Sequence, residues 1–216
     1  MQIIWKGQSC FQITAQKAKT PVNIVIDPFS PEIGLRPPSS AADIVLVTHD
    51  HPDHNNTKTI SGDPFIVSGP GEYEIKDVYI IGIPSFHDLV DGKEKGLNTI
   101  YVIDTESLRV CHLGDLGQKE LTSEQLEKIG EIDILMIPVG GNTTISEKEA
   151  QKIMSQIEPK ITIPMHYQIP KLKVKLDGVE GFLKSMGIKS VVPEAKLSIK
   201  KKDISAEEAK IIVLQP

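Results

Sequence analysis

Residues 46–56 read LVTHDHPDHNN, and three histidines with two aspartates fall inside positions 49–54. The chain has six histidines in all, so half of its imidazoles stand in one hexapeptide. They follow directly on the aliphatic, β-branched run DIVLV at 43–47, which reads as a buried strand. Neutral imidazole together with carboxylate is the donor set of a borderline divalent ion, zinc first, then manganese or iron. If the segment stays extended, alternation turns His49 and His51 to the same side, where they can grip one ion. Pro52 interrupts such a strand, so Asp53 and His54 are presented from a second direction. This reading suits two neighbouring ions.

Further donors stand elsewhere in the chain at a recurring place. His87 follows VYIIGIPSF, His166 follows KITIPM, and Asp115 lies in HLGDLG just beyond LRVCH. Each comes immediately after a β-rich run, where loop residues converge over one edge of a sheet. Gly114 and Gly117 flank Asp115 and let the backbone there approach a ligand closely.

Around these donors the chain changes character. Its first half is a succession of short β-rich runs (IIW, CFQIT, VNIVID, DIVLVTH, FIVSG, VYIIGIPS, NTIYVID, LRVCHLGD) divided by glycine and proline. Helices are expected later. Thr122 with Gln125 and Ser146 with Glu149 form capping-box patterns, and Ala150, Ile153, Met154 and Ile157 follow helical spacing. Gly130 and Pro159 close these two helices, and a third is expected around VEGFLKSMG. DILMIPV and KITIPMH read as strands buried on both faces, and KLSIKK and AKIIVLQP as terminal strands, with Lys200 to Lys202 a solvated strand end. The longest irregular stretch, 27–43, borders the histidine segment and is expected to edge a site.

The 216 residues, 39% hydrophobic and 25% charged, are enough for one sizeable core, so one domain over 1–216 is expected. A formal net charge of −5 disfavours nucleic acid as a partner. MQIIWKGQSC lacks the pattern of a secretory leader, and no run approaches 18 uncharged apolar residues, which predicts a cytoplasmic protein without a membrane span. Cys10 and Cys111 read as buried apolar residues.

Assembled, these residues resemble the metallo-β-lactamase-fold hydrolases. The HxHxDH motif stands complete at 49–54, followed in order by His87, Asp115 and His166. IIWKGQSCFQI, VIDPF, GPGEYEI and HLGDLG are similar to the branch that contains ascorbate-6-phosphate lactonase and related zinc-dependent hydrolases. The resemblance implies a four-layer αββα sandwich of mixed α/β class. It implies one metal held by His49, His51 and His87 and a second by Asp53, His54 and His166, with Asp115 bridging. It also implies a metal-generated hydroxide attacking a small ester, lactone or phosphodiester, with Asp53 orienting it and passing a proton to the leaving group. Where members of that branch often have histidine after Trp-x-Gly, this chain has Gln8, which puts the lactonase substrate in doubt.

Other residues keep open roles at this level. His112 reads as structural, as a support for Asp115 or as a substrate contact. Tyr167, Lys93, Lys95 and Asn98 are candidate contacts to an anionic small-molecule substrate, and Ser85 reads as packing. The competing function is a non-hydrolytic metalloprotein, a metal-binding or di-iron redox module on the same fold; a nuclease is disfavoured by the charge. Oligomeric state is not legible.

Overall fold

The computed structural model describes residues 1–16, 20–205 and 208–216. The chain forms two sheets. The first is six-stranded and is built from β1 (Gln2–Gly7), β2 (Cys10–Ala15), β3 (Val22–Ile26), β4 (Ile44–Leu46), β5 (Phe65–Val67) and β12 (Leu197–Ser198), in the order β12-β1-β2-β3-β4-β5. The second is seven-stranded: β6 (Gly71–Ile75), β7 (Val78–Phe86), β8 (Leu97–Thr105), β9 (Leu108–His112), β10 (Ile134–Pro138), β11 (Ile161–Met165) and β13 (Lys210–Ile211), in the order β13-β11-β10-β9-β8-β7-β6.

Burial follows composition. β1 alternates between half-buried and buried positions, as a strand with one face on the core does. ILMIP and ITIPM, in β10 and β11, are buried at every position, as their unbroken apolar runs predict. Trp5, Phe11, Phe29, Tyr101 and Phe182 are the largest side chains sealed in the core, which takes in both cysteines.

Helices α1 (Ser123–Ile129) and α2 (Glu147–Ile157) occupy the crossovers β9 to β10 and β10 to β11, which join parallel strands. Both begin at complete capping boxes, Thr122 with Gln125 and Ser146 with Glu149. Gly130 caps α1, whereas α2 closes on Glu158 in the left-handed region, just before Pro159. α3 (Val179–Ser185) packs on α2, and α1 packs on β7. Among the described residues, the connections of the first sheet between β1 and β5 carry single 3-10 turns, at Pro31–Ile33 and Thr57–Thr59. No helix among the described residues is long and apolar enough to cross a membrane.

Two expectations are corrected. Lys200 to Lys202 are not a strand end: a 3-10 turn forms at Lys201–Asp203, and Lys201 pairs with Asp133 at 2.7 Å. More consequentially, strand β4 stops at Leu46, so the histidine segment is not extended. The His51 N–H donates to the His49 carbonyl and the His54 N–H to the His51 carbonyl, at 3.1 and 2.9 Å. Pro52, with no N–H to give a ladder, sits inside this run of turns rather than ending a strand.

Candidate metal centre

β1, β3 and β4 run in one direction, since β1 and β3 both pair antiparallel with β2 and β4 pairs parallel with β3. Gln8, Asp27 and His49 therefore emerge from the same end of the first sheet. In the second sheet β7, β9, β10 and β11 share one direction, and His87, Asp115 and His166 emerge beyond their C-terminal ends. The two ends meet. His49, His51 and His87 offer donor atoms within 4.8 Å of one another, and so do Asp53, His54, Asp115 and His166. All seven donors read from the sequence come together in these two groups.

Asp115 joins the groups. Its Oδ2 lies 3.1 Å from His166 Nε2, 3.3 Å from His54 Nε2 and 3.5 Å from His87 Nε2. The two glycines beside it allow this placement. A β-carbon at Gly114, whose φ is 57°, would stand 2.3 Å from Asn98 Oδ1, and one at Gly117 would stand 2.3 Å from the His87 carbonyl carbon.

Hydrogen bonds fix the donors from behind. Thr48 Oγ1 donates to Asp27 Oδ2 at 2.8 Å and so accepts from the His49 Nδ1–H at 2.9 Å. That leaves His49 Nε2 unprotonated, buried and without a hydrogen-bond partner. Asp27 Oδ2 also stands 2.9 Å from His54 Nδ1. Asp115 receives the Ser9 hydroxyl at 2.9 Å, while its backbone N–H donates to Asn98 Oδ1 at 3.0 Å. Orphaned imidazole nitrogens beside ionised carboxylates fit divalent metal and fit little else, because an unpaired buried nitrogen and an uncompensated buried charge are both costly.

The electrostatics agree. Burial disfavours the charged form of His54, yet Asp115 and Asp27 outweigh it and hold the imidazole pKa well above its ordinary value. Burial likewise opposes ionisation of Asp115, and His166 and His54 overcome it, holding this carboxyl well below the usual range. His49 is pushed down to about 2, by burial first and by His54 second. The ring is neutral at any working pH, as a metal donor must be.

Several open roles now resolve. His112 is buried, donates from Nε2 to the Ser9 carbonyl at 2.8 Å and accepts from the Gly114 N–H, so it supports Asp115 through its neighbours. Asn98 is not a substrate contact: its amide is spent on Ser85, Leu113 and Asp115. Tyr167 packs on Trp5 and donates to the Leu214 carbonyl. Lys93 is exposed, and Lys95 donates to the Thr143 carbonyl at 2.9 Å. Sequence reasoning gave no role to Asp27, Thr48 or Ser9. VIDPF was visible as a run, but nothing local showed which way its aspartate turns. The irregular stretch does edge the site, since the Ser30 N–H donates to the Pro52 carbonyl and the Asn56 N–H to that of Pro28.

A family model described as "Beta-lactamase superfamily domain" matches residues 2–166, the span that contains every donor. The chain belongs to the beta-lactamase superfamily. Within the superfamily it is 32% identical over 191 residues to a UPF0173 protein of Pyrococcus abyssi, covering 77% of this chain and 83% of the relative. A UPF0173 metal-dependent hydrolase of Thermococcus onnurineus is 28% identical over 194 residues, covering 77% and 84%. A Thermotoga maritima structure named for the Zn-dependent hydrolases of the metallo-beta-lactamase superfamily superposes with a TM-score of 0.80 at 36% identity, covering 99% of this chain and 97% of that one. The superfamily's sandwich is the fold seen here, and this member is a metal-dependent hydrolase.

Proposed function

We propose that the chain is a dinuclear hydrolase, with zinc the best-fitting metal, that cleaves a small ester, lactone or phosphodiester. His49, His51 and His87 would hold one ion, Asp53, His54 and His166 the other, and Asp115 would be shared. The observation that carries this reading is Asp115 Oδ2, within 3.5 Å of imidazole nitrogens from both groups. Charge supports it: Asp27, Asp53 and Asp115 bring three negative charges, so two dications leave one positive charge for an anionic nucleophile. Ions held there supply Lewis acidity to the substrate and acidify a water toward neutrality.

Asp53 is the residue assigned to proton handling. Its side chain is 23% exposed, against 3% for Asp115, so of the two carboxylates in the donor groups it is the one that reaches solvent and substrate. Burial alone would raise its pKa, but the bond from His54 and that ring's charge hold it below the ordinary range, as a carboxylate. It orients the attacking water, takes its proton as the oxygen bonds to the acyl or phosphoryl centre, and returns that proton to the departing oxygen. Gln8 stands beside it, with Nε2 3.5 Å from Asp53 Oδ2 and 3.4 Å from His166 Nε2.

Elemental analysis of purified protein tests the ions, with two equivalents of zinc per chain expected. Turnover of lactone, aryl ester and phosphodiester panels by wild type and Asp53→Ala tests the chemistry. Equal rates from the two proteins, or no turnover by the loaded wild type, would refute the proposal.

A further inference from the structure

A cavity of about 710 Å³ opens at the outer edge of the metal centre, within the size range of small-molecule sites. His49 and His51 form part of its wall, whereas Asp53, His54, Asp115 and His166 do not. The rest of it is uneven in character. Val47, Ile66, Pro70 and Leu97 give it apolar surface, and Ile66 and Leu97 are 49% and 65% exposed although both are large aliphatics. Its charged side chains besides the histidines are Lys95, already bonded to the Thr143 carbonyl, and Asp50, which accepts from Asn55. Neither of the chain's two arginines lines it.

We infer that this cavity receives an uncharged apolar acyl arm, and that the substrate is a carboxylic ester or lactone rather than a phosphodiester. The inference rests on the hydrolase reading above and narrows it. Beyond the ions, a phosphodiester is held by side-chain cations that bond its oxygens, and this wall offers one lysine, tethered to the Thr143 carbonyl, against one aspartate, with no arginine. The arm's direction follows from Asp53. The alcohol side of the scissile bond must face the residue that returns its proton, and Asp53 does not line the cavity, so the cavity is left to the acyl side. Hydrolysis adds water across the acyl C–O bond: the hydroxyl goes to the acyl carbon, whose product stays in the cavity as a carboxylic acid, and the proton goes to the alcohol oxygen.

The cavity is also held in shape. The Tyr101 hydroxyl donates to the Val47 carbonyl and accepts from the Gly69 N–H, each at 2.9 Å, fastening the crossover between the sheets to the end of β4. Across it, Asp88 accepts the backbone N–H groups of Val90, Gly92, Glu94 and Lys95, which fixes the loop that delivers Leu97.

The test is a series of p-nitrophenyl esters from acetate to hexanoate, with p-nitrophenyl succinate and bis-p-nitrophenyl phosphate, assayed on zinc-loaded protein. Transfer of apolar surface predicts that kcat/KM rises about two- to fourfold per methylene. Leu97→Asp should flatten that slope, and Val192→Asp, at an 86% exposed position outside the cavity, should keep it. A flat slope in wild type, or faster turnover of the succinate or phosphate compound, overturns the inference. Acetohydroxamate and hexanohydroxamate, titrated by calorimetry, read the same pocket without turnover. The longer should bind wild type about tenfold or more tightly, with the advantage lost in Leu97→Asp; equal affinities overturn the inference. If no ester, lactone or phosphodiester is cleaved, the hydrolase reading fails by itself, and the hydroxamate pair still decides the cavity.

Discussion

The two donor groups are built differently. The outer one, His49, His51 and His87, is all imidazole, stands at the cavity edge and takes its bracing from Thr48. The inner one includes two carboxylates, lies mostly beneath the surface, and is braced by Asp27, Ser9, Asn98 and Gln8. A neutral group at the cavity wall suits binding and polarising substrate. An anionic, buried group suits retaining an ion, because carboxylates attract a dication most strongly where water is excluded. The contrast teaches that the motif at 49–54 is one run in sequence but two devices in function, divided at Pro52.

The sharpest way to break that comparison is Asp115→Ala, which removes the carboxylate common to both groups. Both ions should be lost on dialysis and turnover should fall on the order of 10³-fold; elemental analysis and initial rates check it. If one ion stayed fully bound, Asp115 would belong to a single group. Asp27→Asn probes the bracing instead. It removes a charge that faces His54 and Thr48 together, and zinc affinity measured against a competing chelator should weaken about 10- to 100-fold.

Gln8→Ala should act on rate more than on retention. The Gln8 backbone, at φ 51°, is held by the Trp5 indole N–H and the His166 N–H, both donating to its carbonyl, so the loss falls on the amide beside Asp53. About a tenfold decrease in kcat with zinc content preserved is expected. The smallest effect concerns the Asp88 loop. Burial opposes ionisation of Asp88, but bonds from Lys95, Val90, Glu94 and Gly92 bring its pKa down to about 2, below the unfolded value of 3.8. A depressed carboxyl stabilises the fold above the unfolded pKa and ceases to do so as pH falls through the folded one. The difference in Tm between wild type and Asp88→Asn should therefore be full at pH 6 and narrow between about pH 4 and pH 2.

The candidate donors were legible because each is a chemically distinctive residue placed just past an apolar run. His87, Asp115 and His166 needed no knowledge of their neighbours. The bracing residues were not, because Thr48 and Asp27 are 21 positions apart, and Ser9 and Asp115 are 106 apart; only the folded sheets bring them together. α1 and α2 were announced by their capping boxes, which are local. β6 was hidden because GEYEI is largely exposed at the sheet edge and offers no apolar face to read. The turn at 49–54 was misread as extended because alternation was the simplest way to align two histidines, whereas three backbone bonds among His49, His51, His54 and Asn55 do so more tightly.

Each donor group draws on both sheets: His49 and His51 with His87, Asp53 and His54 with Asp115 and His166. Loaded ions would thus fasten one sheet to the other, a clasp that spans the sandwich much as a crosslink would. Chelation then acts as a mild denaturant, and the heat resistance of the protein becomes a gauge of how much metal its surroundings supply.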